Sequence, residues 1–98
     1  MTRSYIYFVE RADGLIKIGR SVNPLVRFAA LRREHGELTP RGYIRESELV
    51  TEHILHHKFA SCRVTGEWFR LTTALYSFVM QFAARTVEEA LPDTYVEV

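Results

Sequence analysis

The sequence lacks most features of a membrane protein, a secreted scaffold or a flexible linker. It holds one cysteine, Cys62, in 98 residues. No internal disulfide can form, and a reducing compartment, the cytoplasm, is expected. No apolar run approaches the roughly 18–20 residues of a spanning helix, and the first residues carry no apolar signal core. No membrane partner is therefore expected. Three prolines and five glycines are too few for a low-complexity stretch. Neither a repeat nor a glycine-rich phosphate cradle is present. What is there is ordinary: 47% hydrophobic and 26% charged residues describe a globular chain, and this length supports one core. One domain is expected over residues 1–91, with a short tail over 92–98 that starts at Pro92.

The net charge is +1, but the two halves differ. Residues 1–45 hold nine cations against four acids, and the rest holds four cations against eight acids. A basic half suits a polyanion, and an acidic half can supply a carboxylate to a metal. The cations are nearly all arginine, whose planar fork matches phosphate. Uneven surface charge alone gives the same pattern.

Tyr5-Ile6-Tyr7-Phe8-Val9-Glu10 reads as a strand, and Leu15-Ile16-Lys17-Ile18-Gly19-Arg20 as a second. Ala12-Asp13-Gly14 fits a three-residue hairpin loop with glycine in the left-handed position. That loop pairs Arg11 with Leu15 and Val9 with Lys17. Tyr5, Tyr7, Lys17 and Gly19 then share one half-exposed face, and Ile6, Phe8, Ile16 and Ile18 share the core face. Asn23 and Pro24 start a helix that Gly36 stops, with Leu25, Phe28 and Leu31 as its stripe. Tyr43-Ile44-Arg45 suits a third strand. Ser47 is expected to cap a second helix ending near Phe59 or Ala60. A loop around residues 62–66 precedes a last helix over residues 72–90, with core positions Leu75, Phe78, Val79 and Phe82. The expected class is α+β: a small three-stranded antiparallel sheet flanked by helices, in the order β-β-α-β-α-α.

The chemistry concentrates at few places. Glu52 falls on the stripe of Leu49, Leu55 and Phe59, with His56 one turn on. A carboxylate there is costly unless it is ion-paired, for instance to Arg27, or binds a metal. His53 and His57 have the spacing of two helical metal ligands, but no third ligand is indicated; surface histidines are the simpler reading. Tyr5, Tyr7 and Lys17 on one sheet face are common in any β protein.

Taken together, these segments resemble the GIY-YIG nuclease family in its compact phage-associated branch. Tyr5-Ile6-Tyr7 resembles the first motif and Lys17-Ile18-Gly19 the second. Arg27 follows on the first helix, Glu52 with Leu55, His56 and Phe59 resembles the metal-binding helix, and Gly66-Glu67-Trp68-Phe69 the closing signature. The resemblance spans residues 5–71. It implies phosphodiester hydrolysis of DNA with a single divalent ion, Mg2+ or Mn2+, anchored by Glu52. Arg27 would stabilise negative charge on the phosphoryl group. Tyr7 would orient or deprotonate water, its pKa lowered by Lys17 or Arg27. His56 joins the catalytic set, and Tyr5, Gly19, Arg20 and Arg32 are the expected DNA contacts. Sequence specificity would need a homodimer or a partner protein. Tyr5 stands where the family has its first glycine and Lys17 where it has its second tyrosine; the family's late asparagine has no counterpart. A nucleic-acid-binding or regulatory module with weak or no cleavage, or a protein-interaction domain, remains open.

Overall fold

The hairpin is the seed of the fold. The computed structural model describes residues 4–86. Strand β1 (Tyr5–Arg11) and strand β2 (Leu15–Ser21) pair antiparallel in the expected register, Val9 opposite Lys17 and Tyr7 opposite Gly19. Gly14 sits at φ 93°, where only glycine is unstrained, and its N–H donates to the Arg11 carbonyl at 2.9 Å. Helix α1 (Pro24–His35) starts as expected, with the Asn23 side chain accepting from the Val26 N–H, and Gly36 ends it.

Strand β3 (Leu38–Arg45) extends five residues upstream of the expected segment and pairs antiparallel with β1. Its register shifts between Phe8 and Val9, facing Gly42 and Pro40, so Arg41 is the bulged residue. Pro40 is tolerated because β3 is an edge strand. The second helix begins later than expected. Ser47 and Val50 close a turn on each other, Thr51 accepts from the Ile54 N–H, and α2 runs only over Glu52–Lys58. A 3-10 turn (Ala60–Cys62) follows. The expected loop is a hairpin instead: β4 (Arg63–Thr65) and β5 (Trp68–Arg70) turn about Gly66. The sheet therefore has five strands, not three, in the order β3-β1-β2-β5-β4. Helix α3 (Thr73–Phe82) stops well short of residue 90, because the chain turns at Ala83 so that Ala84 bridges to Tyr43. Residues 87–90, where the expected helix would have continued, and the tail from Pro92 lie outside the described residues.

Both faces of the sheet are covered. On one, Ile6, Phe8, Ile16, Ile18, Ile44 and Phe69 pack under α2 and α3 through Leu55, Phe59, Leu75 and Val79. On the other, Tyr7, Val9, Tyr43 and Trp68 pack under α1 through Phe28 and Leu31. The tyrosine face is thus a second core, not a half-exposed surface. Three stripe residues are misassigned: Leu25 is 59%, Leu49 83% and Phe82, at the end of α3, 42% exposed. Leu25 points off the α1 contact that Pro24, Phe28 and Leu31 make, and Leu49 sits on the turn before α2.

Candidate active site

The site lies where the sheet runs out of strand. Strand β5 pairs with β2 only over Leu15–Lys17. Beyond that point the outer edge of β2 is free, and α2 fills it. Both backbone groups of Ile18 turn outward: its N–H donates to the Glu67 carbonyl at 3.0 Å, and its carbonyl meets His56 Nε2 at 2.8 Å. A carbonyl only accepts, so Nε2 carries the proton. This contact docks α2 on the edge and brings Glu52, the first residue of the helix, alongside. Glu52 Oε2 lies 3.7 Å from His56 Nε2. The Glu52 N–H donates to Glu46 Oε2, and Glu46 Oε1 takes the Arg20 guanidinium at 2.6 Å.

Gly19 opens the site to the other face. A Cβ placed there would meet Tyr7 Cζ at 2.3 Å and its hydroxyl oxygen at 2.4 Å. The phenol therefore lies flat over a glycine that must stay a glycine. Tyr7 is only 1% exposed, and its ring meets the Phe28 edge at 5.2 Å. Its hydroxyl lies within reach of Arg27, an exposed residue of α1. Burial raises the Tyr7 pKa above the ordinary phenol value. Arg27 pulls it down, and the negative fields of Glu67 and Glu52 push it up again. The expected net lowering by a nearby cation fails, because burial outweighs Arg27 and Lys17 is committed elsewhere. Lys17 Nζ is ion-paired to Glu67 Oε1 at 2.8 Å.

Glu67 in turn lies near enough to Glu52 for the two carboxyls to shift each other. Burial, then this second carboxylate, pushes the Glu52 pKa up to about 7. Burial pushes the Glu67 carboxyl up, but Lys17 and, after it, Glu52 and His56 outweigh this and hold it below the carboxylate norm. A phenol, a guanidinium, an ammonium and two carboxylates from five segments thus form one electrostatic unit. Glu67 was not among the expected site residues. Its sequence signal was its place in Gly66-Glu67-Trp68-Phe69, which resembles the closing signature.

The remaining expected residues divide. Arg20 lies at the rim but is engaged by Glu46. Arg32 is exposed on the last turn of α1. Tyr5 is half-buried, packed on the α1 core. Gly19 is buried beneath Tyr7, so its role is to make room for the phenol rather than to meet a ligand. His53 and His57 are exposed. Among the described residues no group of three or more His, Cys, Asp or Glu could hold a metal ion. The available donors are hard carboxylate oxygens, one or two of them. That set suits Mg2+ or Mn2+, which retain water ligands, rather than zinc.

Sheet and helices together define a small antiparallel α+β domain. The chain belongs to the T5orf172 domain family, whose model matches residues 4–91. A search of curated proteins and one of solved structures each returned no significant match. No described helix is long and apolar enough to cross a membrane.

Proposed function

We propose that the chain is a GIY-YIG-type DNA endonuclease that hydrolyses phosphodiester bonds with one Mg2+ or Mn2+ ion. One observation carries this reading. Tyr7 lies over Gly19, and the residue before that glycine, Ile18, is held by Glu67 on one side and by His56, the neighbour of Glu52, on the other. Arg27, Glu52 and Glu67, from three further segments, thus all act on the Tyr7 hydroxyl. That combination suits attack on a phosphodiester. Glu52 holds the cation through its carboxylate. A divalent ion there supplies Lewis-acid stabilisation of charge on a phosphoryl oxygen. Arg27 adds a preorganised positive charge to the same oxygens. Tyr7 orients the attacking water through its hydroxyl and, as phenolate, accepts the water's proton. His56 fixes α2 against Ile18 and so holds Glu52 in range. Arg32, with the neighbouring Arg33, and Arg20 at the rim meet the DNA backbone; Tyr5 borders that surface. A second copy or a partner protein supplies any sequence preference.

One observation favours the alternative, a binding or regulatory module without efficient cleavage. The Lys17 charge is spent on Glu67, and Tyr7 is held protonated. Incubation with supercoiled plasmid and Mg2+ or Mn2+, with and without chelator, separates the two. Metal-dependent nicking that Glu52→Ala abolishes, with DNA binding intact or slightly tighter, supports the enzyme. Wild-type protein without metal-dependent cleavage, and both Glu52→Ala and Arg27→Ala behaving like it, leaves the binding module. Binding itself should fall steeply with salt and show little sequence preference.

A further inference from the structure

Three arginines of the sheet are held by acids: Arg11 by Asp13, Arg20 by Glu46 and Arg41 by Glu10. Helix α1 differs. Its Arg27, Arg32 and Arg33 are exposed, and among the described residues no carboxylate pairs with any of them. The one acid of α1, Glu34, lies 3.5 Å from His35. The first turn holds no acid at all, although the helix dipole favours one there. The outer side of α1 is therefore positive and uncompensated.

The same stretch leaves large apolar side chains in water. Val22, in the bend between β2 and α1, is 58% exposed, Leu25 59% and Val26 65%. Pro24 and Phe28 make the contact with the sheet in their place. At 100° per residue Val26 points roughly opposite to the buried Phe28, so it cannot join the core without turning the helix over. An exposed apolar group rimmed by cations marks a contact surface. Arg27, the proposed phosphate contact, directly follows Val26 in the chain. A DNA strand held by Arg27 passes within reach of these aliphatics.

The surrounding charge selects the occupant. A second copy meeting this face about a two-fold axis would set Arg27, Arg32 and Arg33 against their own copies. A polyanion meets them favourably. We infer that Val22, Leu25 and Val26 form an apolar wedge that enters DNA at an unstacked base step beside the phosphate held by Arg27. Aliphatic side chains inserted from the minor groove part a base step in this way without reading its sequence. The inference rests on the endonuclease reading for its substrate and narrows the substrate class. DNA with a weakened step, such as a bulge, is bound ahead of intact duplex because less stacking is lost.

The test uses the full chain and two duplexes, one intact and one with a central bulge flanked by 2-aminopurine. Anisotropy of an end label reads affinity, and 2-aminopurine fluorescence rises when the base unstacks. Wild type should brighten the 2-aminopurine and bind the bulged duplex about tenfold tighter, a fraction of the cost of unstacking one step. The triple variant Val22→Ala, Leu25→Ala, Val26→Ala should lose most of that preference and the brightening. Its affinity for intact duplex and its salt dependence should match wild type, because the arginines are untouched. The replaced side chains are exposed and alanine favours helix, so thermal melts should barely move. If the triple variant fails to fold, Val26→Ala alone decides. Equal affinity of wild type for both duplexes overturns the wedge, as does a variant that keeps the preference. Sedimentation showing a wild-type dimer and a monomeric triple variant gives the face to a second copy and overturns it too. Preference and brightening without cleavage in Mg2+ or Mn2+ removes the endonuclease reading and leaves the wedge. Cleavage without preference removes the wedge alone. Failure to bind either duplex at low salt overturns both.

Discussion

The two faces of the sheet are built from the same two strands and do opposite things. Ile6, Phe8, Ile16 and Ile18 point one way, into a cluster with no charged member. Tyr7, Val9, Lys17 and Gly19 point the other way, where the buried residues include four aromatics and a lysine. The first face gains stability from apolar area alone. On the second, Tyr7 packs its ring against Phe28 and keeps its hydroxyl in the field of Arg27. Alternation along a strand thus lets one hairpin serve as foundation on one side and as chemistry on the other. The polar side is tolerable because its charges come in pairs.

The sharpest way to break the comparison is to cut into the apolar face. Phe8 is fully buried against Phe78, so Phe8→Ala should cost about 3–5 kcal/mol in denaturant unfolding. The folded fraction that remains should keep its DNA affinity. The converse cut is Arg27→Ala, at an exposed residue. Stability should barely move, while the cleavage rate falls on the order of 100-fold and DNA binding weakens. Single-turnover assays and thermal melts on one preparation check both. Gly19→Ala touches both faces of the argument. The added methyl would collide with the phenol, so overpacking should cost about 1–3 kcal/mol and displace the Tyr7 hydroxyl from Arg27. Glu52→Gln is the control, since it leaves that contact alone.

The smallest effect is a pH trend. The Glu52 carboxyl is raised from 4.5 to about 7 by burial and by Glu67. A raised acid binds more protons folded than unfolded. Its stabilising contribution is therefore complete below about pH 4.5 and disappears as pH rises to about 7. Metal-free wild type should lose melting temperature across that window relative to Glu52→Gln. Glu67, shifted the other way, acts only below its ordinary value and does not mask the slope. Parallel traces for wild type and variant would show that the carboxyl pair is not formed in solution.

What the sequence revealed followed from local rules. The hairpin register, the glycine of its loop and the Asn23-Pro24 start of α1 are each written within a few residues, and all are found. What was missed required partners. Ser47 and Thr51 are both good caps, and nothing nearby decides between them; the choice falls to Thr51 once Ser47 closes its turn with Val50. Strands of three residues, Arg-Val-Thr and Trp-Phe-Arg, carry too little pattern to announce themselves. The burial of Tyr7 comes from α1 folding over a face that alternation alone leaves open. Of the site, Tyr7, Arg27 and Glu52 were legible by resemblance. Glu67 stood in the closing signature without a role, because no spacing rule shows that a turn between short strands will lie near the first residue of a helix.

The chain has a single tryptophan. Trp68 is buried beside Glu67, with the Arg11 and Lys17 cations near its ring and His35 edge-on at 5.1 Å. Fluorescence excited through indole therefore comes from one known place, the seam where β5 meets β2. Its intensity and wavelength will register the arrival of a cation or a phosphate next door, and its loss of order will register the melting of the sheet. The molecule carries its own optical probe at the point where its stability and its chemistry join.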